Sequence, residues 1–158
     1  WIELKDEIDA SAYEWDGKTV EDGRYEIRVT ACDAGSNTAS TALMGSRVSE
    51  PIVIDNTGPV IHDMKITSDA EGAHQYRIFS IKASDELSAI GKLEYTIDSN
   101  AKWVSTVPDD LVYDTTNEEF TIRIDAEKDL PKGEHILTIK VTDAVDNTTY
   151  KTFEVNMD

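Results

Sequence analysis

Asp55, Asn56, Asp85, Asp143 and Asp146 are the residues of this chain whose types and spacing suit a definite chemistry, the holding of Ca²⁺. Calcium takes six to eight oxygen ligands and tolerates irregular geometry, so a loop cluster rich in Asp and Asn can supply it. Asp55 and Asn56 open the turn-forming run DNTGP, Asp85 closes an alternating stretch, and Asp143 and Asp146 sit together in DAVDN. In a sandwich of seven strands, the loop after the second strand and the loop before the last lie at the pole where the chain enters. The five side chains are therefore expected to meet at a joint between two domains. A plainer use competes with this one. Asp143 and Asn147 suit a hairpin braced by side-chain to backbone hydrogen bonds, and Asp85 suits the cap of its own loop. The same Asp and Asn recur earlier as Asp33 and Asn37, which favours capping.

Other chemistries find less support. His62, His74 and His135 have no H-x-x-x-H or H-E-x-x-H spacing, the serines lack a G-x-S-x-G context, and no glycine-rich phosphate loop is present. Carboxylates are too abundant for any pair to mark glycoside hydrolysis. The chain is read as non-enzymatic. His135 falls at a repeat position that Tyr25 fills elsewhere, which predicts a packed, hydrogen-bonded imidazole. The lone Cys32 excludes an internal disulfide and has no cationic neighbours to activate it. Trp15 and Trp103 fall on related strands and are expected to pack, whereas a sugar-stacking platform of exposed tryptophans is the rival use. A net charge of -17 argues against nucleic acid and anionic membrane surfaces as partners, and no apolar run is long enough to insert in a membrane as a helix.

These residues must be positioned by strands. GRYEIRVTACDAGSN, Gly23 to Asn37, returns as GEHILTIKVTDAVDN, Gly133 to Asn147. In both copies apolar residues alternate with polar ones, the period of a half-buried strand. Tyr25, Ile27, Val29, Leu137, Ile139 and Val141 are the expected core. Further strands are expected at Trp1 to Leu4, Tyr13 to Trp15, Val48 to Asp55, Val60 to Thr67, Tyr76 to Ser84, Leu93 to Ile97, around Trp103, Phe120 to Ile124 and Tyr150 to Val155, with SDAEGAHQ as a polar loop. No convincing helix is found. The turn formers of DNTGP divide the chain into 1–55, holding only the later strands of a sandwich, and 56–158, a complete one of seven strands. The first part lacks counterparts of everything from Val60 to Asn100. Either preceding chain completes it, carrying any export signal with it, or a neighbour supplies the missing strands.

The segments SDELSAIGKLEYTIDSNAKW, LPKGEHILTIKVTDAVDN and YEWDGKTVEDGRYEIRVTACDAGSN, with VSEPIVIDNTGPVI, resemble tandem immunoglobulin-like or fibronectin type III-like modules of secreted bacterial proteins. The likeness is greatest to those at the C-terminal end of large β-propeller proteins. The resemblance implies an all-β fold and an extracytoplasmic location, whether periplasmic, cell-surface or secreted. It also implies a non-catalytic role as spacer, stabiliser or protein-interaction segment, with other domains of the same protein as partners. A carbohydrate-binding module and an accessory domain of a secreted hydrolase are the alternatives. Where related linkers read DNTPP this chain has Gly58, which predicts a looser joint.

Overall fold

The structure is a computed structural model that describes residues 1–38 and 40–157, and it falls into two units, Trp1–Asn56 and Thr57–Asp158. The described residues are all-β apart from a single 3₁₀ turn at Gly17–Thr19, N-capped by Asp16.

In the first unit β1 (Gly23–Tyr25) pairs with β4 (Ile52–Ile54), and β2 (Arg28–Cys32) pairs with β3 (Met44–Val48). The two pairs form one antiparallel ribbon interrupted once. Glu26 and Ile27 stand opposite Ser49, Glu50 and Pro51, and the Pro has no N–H to continue a ladder. Ser49 bridges the gap: its Oγ accepts from the Ile27 N–H at 2.9 Å and its N–H donates to the Ile27 carbonyl at 2.8 Å. Trp1 to Leu4 and Tyr13 to Trp15, expected as strands, are not strands. Trp15 instead donates its indole N–H to Thr19 Oγ1 across the 3₁₀ turn. No second sheet faces the ribbon among the described residues of this unit. Tyr25 and Ile27 are consequently only half-buried and Val29 is 63% exposed, against the expectation that all three are core.

The second unit is a two-sheet β-sandwich. One sheet is built on β7 (His74–Ser84), flanked on one side by β10 (Asn117–Asp125) and on the other by β5 (Val60–Ile61) and β6 (Lys65–Glu71) in succession. The other has the order β12 (Thr148–Met157), β11 (Gly133–Asp143), β8 (Ile90–Ile97), β9 (Val104–Thr106). Every neighbouring pair is antiparallel. Period-two alternation sends Phe79, Ile81, Phe120 and Ile122 inward from the first sheet and Leu93, Leu137, Ile139 and Val141 inward from the second, all at most 3% exposed. Glu118 is buried on the same face as Phe120. Its Oε1 accepts from Thr115 N–H and Thr115 Oγ1 at 3.0 and 2.9 Å, which satisfies the charge locally.

Two expectations are corrected here. The stretch read as the polar loop SDAEGAHQ is a hairpin whose strands run to Glu71 and from His74 around Gly72, at φ 63°. The single strand expected from Val60 to Thr67 is two, β5 and β6, sharing one edge of β7. Gly58 lies close against β12, where a Cβ would lie 2.6 Å from Thr149 Oγ1.

The contrast between the two ribbons can be measured. Ile139→Ala is expected to cost about 2 to 5 kcal/mol as a large-to-small change in a closed core, whereas Val29→Ala stays within about 0.5 kcal/mol. Urea midpoints for the two variants check this, and equal losses would mean that Val29 has a covering partner.

Candidate functional site

The pole that carries the predicted carboxylates is built by the ends of β7 and β11. At the end of β11 the chain turns through Asp143 to Asn147 and enters β12. Asp143, 3% exposed, is the centre of that turn. Its Oδ1 accepts from the N–H groups of Val145 and Asn147 at 2.9 and 2.8 Å, and its Oδ2 accepts from Asn147 Nδ2 at 2.9 Å. Three N–H bonds of this kind satisfy the oxygens of a buried carboxyl group. Gly91 lets β8 run close beside it, since a Cβ there would lie 2.8 Å from the Asp143 carbonyl oxygen. The neighbouring Ala144 N–H donates to the Ala89 carbonyl at 2.9 Å. At the end of β7, Asp85 Oδ1 accepts from the N–H groups of Leu87 and Ser88 at 2.9 and 2.8 Å, the geometry of a turn cap.

Asp85 and Asp143 each bring a carboxylate oxygen within 4.8 Å of the other. Bonds of 2.3 to 2.6 Å would allow one calcium ion between two oxygens at that separation. Asp146 is exposed and holds the left-handed position of the turn at φ 70°. Asp55 and Asn56 close the first unit, where the Asn56 N–H donates to Asp22 Oδ1 at 2.7 Å and its side-chain amide faces the carbonyls of Gly17 and Val20 at 3.5 Å.

The repeated Asp and Asn are used differently in the two copies. In the first, Asp33 Oδ1 accepts from the Leu43 N–H at 2.7 Å, and the Asp33 N–H donates to the Leu43 carbonyl at 3.2 Å. Leu43 thus takes the place that Asn147 holds in the second copy. Asn37 lies inside a longer loop and binds the Asp33 carbonyl instead.

The structure also makes groupings that sequence spacing does not announce. His62 Nε2 lies 2.7 Å from Ser84 Oγ, a nucleophile and base pair in type, yet His62 is exposed. No carboxylate among the described residues orients its other nitrogen, as a working triad requires. Trp103, expected in the core, sits half-buried on the outer face of its sheet, edge-on to Tyr150 at 6.0 Å. Lys140 Nζ lies 5.9 Å from the Trp103 ring centre and pairs with Glu94 at 3.0 Å, while Lys92 reaches the same carboxylate at 2.7 Å. The hydrogen bonds from Lys92 first, then from Lys140, hold the Glu94 carboxyl below its ordinary pKa. The ammonium beside the indole makes this a charged cover for the sheet.

No family model, no curated protein and no solved structure matches the chain.

Asp143→Ala removes an acceptor from three N–H groups at once and is expected to destabilise the second unit by about 2 to 4 kcal/mol, against about half that for Asn147→Ala. Thermal or urea unfolding checks the order, and a near-neutral Asp143→Ala would show that the turn holds without its cap.

Proposed function

We propose that the chain is a non-catalytic pair of immunoglobulin-like, fibronectin type III-like β-sandwich modules, the first of them incomplete. It serves as a spacer, stabiliser or protein-interaction segment of a larger bacterial surface or periplasmic protein. The observation that carries the proposal is the bare apolar face of the first ribbon. Ile27, Val29 and Ala31 line an open groove there, with Gly45 and Arg47 as their cross-strand neighbours, and their repeat counterparts Leu137, Ile139 and Val141 are shut inside a sandwich. A face patterned for a core and left open is a surface for another protein layer to cover.

Two features of the second unit support the module type. Its strand order puts the last two strands, β11 and β12, in one sheet with β8 and β9 and leaves β10 with β5, β6 and β7 in the other, in keeping with sandwiches of this class. Both repeats also open their hairpin with a side chain bonded to the carbonyl four residues upstream, Tyr25 to Glu21 and His135 to Pro131, as tyrosine corners do. The non-catalytic reading is supported by the pole, where the aspartates' hydrogen bonds are those of turn caps. A cytoplasmic location for the parent protein would overturn the extracytoplasmic part of the proposal.

In isolation the chain is expected to associate reversibly through the first ribbon, more strongly as salt rises, because a net charge of -17 opposes close approach at low ionic strength. Sedimentation across concentration and salt should show this, and Ile27→Glu with Val29→Glu should abolish it. A monomer at high concentration whose first unit is fully protected from hydrogen exchange would sink the proposal.

Calcium binding at the pole is a second reading, favoured by the approach of Asp85 and Asp143. It predicts a rise in unfolding temperature with Ca²⁺ over EDTA that Asp85→Asn removes. Equal unfolding temperatures in the two conditions would leave the aspartates as caps alone.

A further inference from the structure

The two corners that open the repeated hairpins are built with different chemistry. In the first, Tyr25 Oη donates to the Glu21 carbonyl at 2.6 Å, and a phenol keeps its proton throughout the physiological range. In the second, His135 Nε2 lies 2.7 Å from the Pro131 carbonyl. A carbonyl only accepts, so Nε2 must carry a hydrogen. The other ring nitrogen, Nδ1, lies 2.6 Å from Asp98 Oδ2. An ionised carboxylate likewise only accepts, so Nδ1 must carry a hydrogen too. An imidazole with N–H on both nitrogens is an imidazolium.

Asp98 is fixed where it stands. Its N–H donates to the Ile136 carbonyl at 2.9 Å, its Oδ1 accepts from the Ile136 N–H at 2.8 Å, and its backbone takes the left-handed conformation at φ 49°. The His135 side chain is only 10% exposed. Among the described residues Asp98 is the charged group in contact with the ring. From β12 the cross-strand neighbour is the apolar Val155, and the segment before β11 presents the Pro131 carbonyl. The carboxylate of Asp98 first, then the Pro131 carbonyl, raise the His135 pKa above its ordinary value. The Ile136 N–H first, then His135, lower that of Asp98.

We propose that His135 and Asp98 form a proton-operated latch on the corner of the second sandwich, closed while His135 is an imidazolium and loosened when it becomes neutral. A neutral imidazole keeps one hydrogen, which the Asp98 carboxylate holds on Nδ1, so loss of the proton leaves the Nε2 lone pair facing the Pro131 carbonyl oxygen at 2.7 Å, a repulsive contact in place of the bond that closes the corner. The corner it fastens joins Leu130 and Pro131 to the start of β11, the strand at the centre of its sheet. The first repeat, with tyrosine at that position, has a corner without the switch.

The pH window follows from the directions of the two shifts. Because the folded pKa of His135 is raised, its stabilisation is fully present below about 6.5, the unfolded value, and is lost as pH rises through the folded pKa. Because that of Asp98 is lowered, its stabilisation is present above about 3.9 and is lost as pH falls through the folded pKa. The latch is closed between these limits.

The test is a pH titration of the whole chain by NMR, with urea midpoints at each pH. The His135 ring resonances should titrate above the ordinary imidazole value, and the Ile136 amide should follow the same curve. Stability should fall across that titration, the folding constant dropping about tenfold for each pH unit between the unfolded and folded pKa. His135→Tyr should keep the corner, as Tyr25 does, and remove this part of the slope. Asp98→Asn should keep an acceptor for the Ile136 N–H while bringing the His135 pKa down. A wild-type His135 that titrates at or below the ordinary value overturns the latch without any variant being needed. A slope unchanged in His135→Tyr overturns its link to stability.

Discussion

The second unit depends on one constraint, that the inner faces of two sheets must cover each other. Phe79, Ile81, Phe120 and Ile122 have no use for water, nor have Leu93, Leu137, Ile139 and Val141, and neither set can be hidden by its own sheet. Each buried side chain of this size contributes about 1.5 to 3 kcal/mol relative to exposure. The facing of β7 and β10 against β8 and β11 is thus the main source of order. What happens at the ends of the strands serves to keep that facing in register. A slip of one residue in β11 would turn Ile139 to solvent and Lys140 into the core.

Both ends of β11 are fastened by side chains whose charge the local backbone absorbs. At Asp143 three N–H groups converge on one carboxylate, and Gly91 and the Ala144 to Ala89 bond bring β8 against the same point. At the other end His135 and Asp98 join the corner to the end of β8. β11 is accordingly fixed at its two termini to the same neighbour, which leaves its middle free to be wholly apolar on the inner side. Tyr113 performs a related service for the other edge: its hydroxyl accepts from the Leu93 N–H at 3.0 Å and donates to the Thr106 carbonyl at 2.6 Å, tying the loop before β10 across β8 and β9. Burial raises the pKa of that hydroxyl, so it stays a donor.

The amino-acid pattern made the all-β class and the inner face of β11 legible, because alternation of Leu137, Ile139 and Val141 is a local property. It also pointed to Asp143 and Asn147 as a braced turn. What it did not reveal was whether a patterned face has anything opposite it. Ile27 and Val29 carry the same alternation as Leu137 and Ile139 but are half-buried and exposed, since burial is decided by residues far away in the sequence. The strand β6 was hidden for the converse reason: Lys65 to Glu71 is exposed throughout and owes its conformation to pairing with β7, not to burial. Asn37 repeats the spacing of Asn147, but the longer first loop gives its place to Leu43. The bond from His135 to Pro131 lay within four residues and was readable in principle, whereas Asp98 and the Ser84 to His62 contact lie across strands that only the fold brings together.

The first ribbon shows what the repeat becomes without its opposing layer. A two-stranded ribbon alone is marginally stable in water, and at about 25 cal/mol per Å² its uncovered apolar face forgoes much of the burial that stabilises the second sandwich. Local devices offset part of this deficit. The Tyr25 corner, the Asp33 bonds to Leu43, the Ser49 bridge across the Pro51 gap and the Asn56 bond to Asp22 all act within the ribbon or its own flanking turn. Such bonds fix register and direction, yet each contributes only about 1 kcal/mol net, so they define a shape more than they stabilise it. A ribbon shaped in advance loses less conformational freedom when a second layer docks on it, and the association is stronger for that reason. The repeat therefore builds its hairpin from short-range bonds in both copies. The apolar face is a separate requirement, met inside the second unit by its opposing sheet and not met by the described residues of the first.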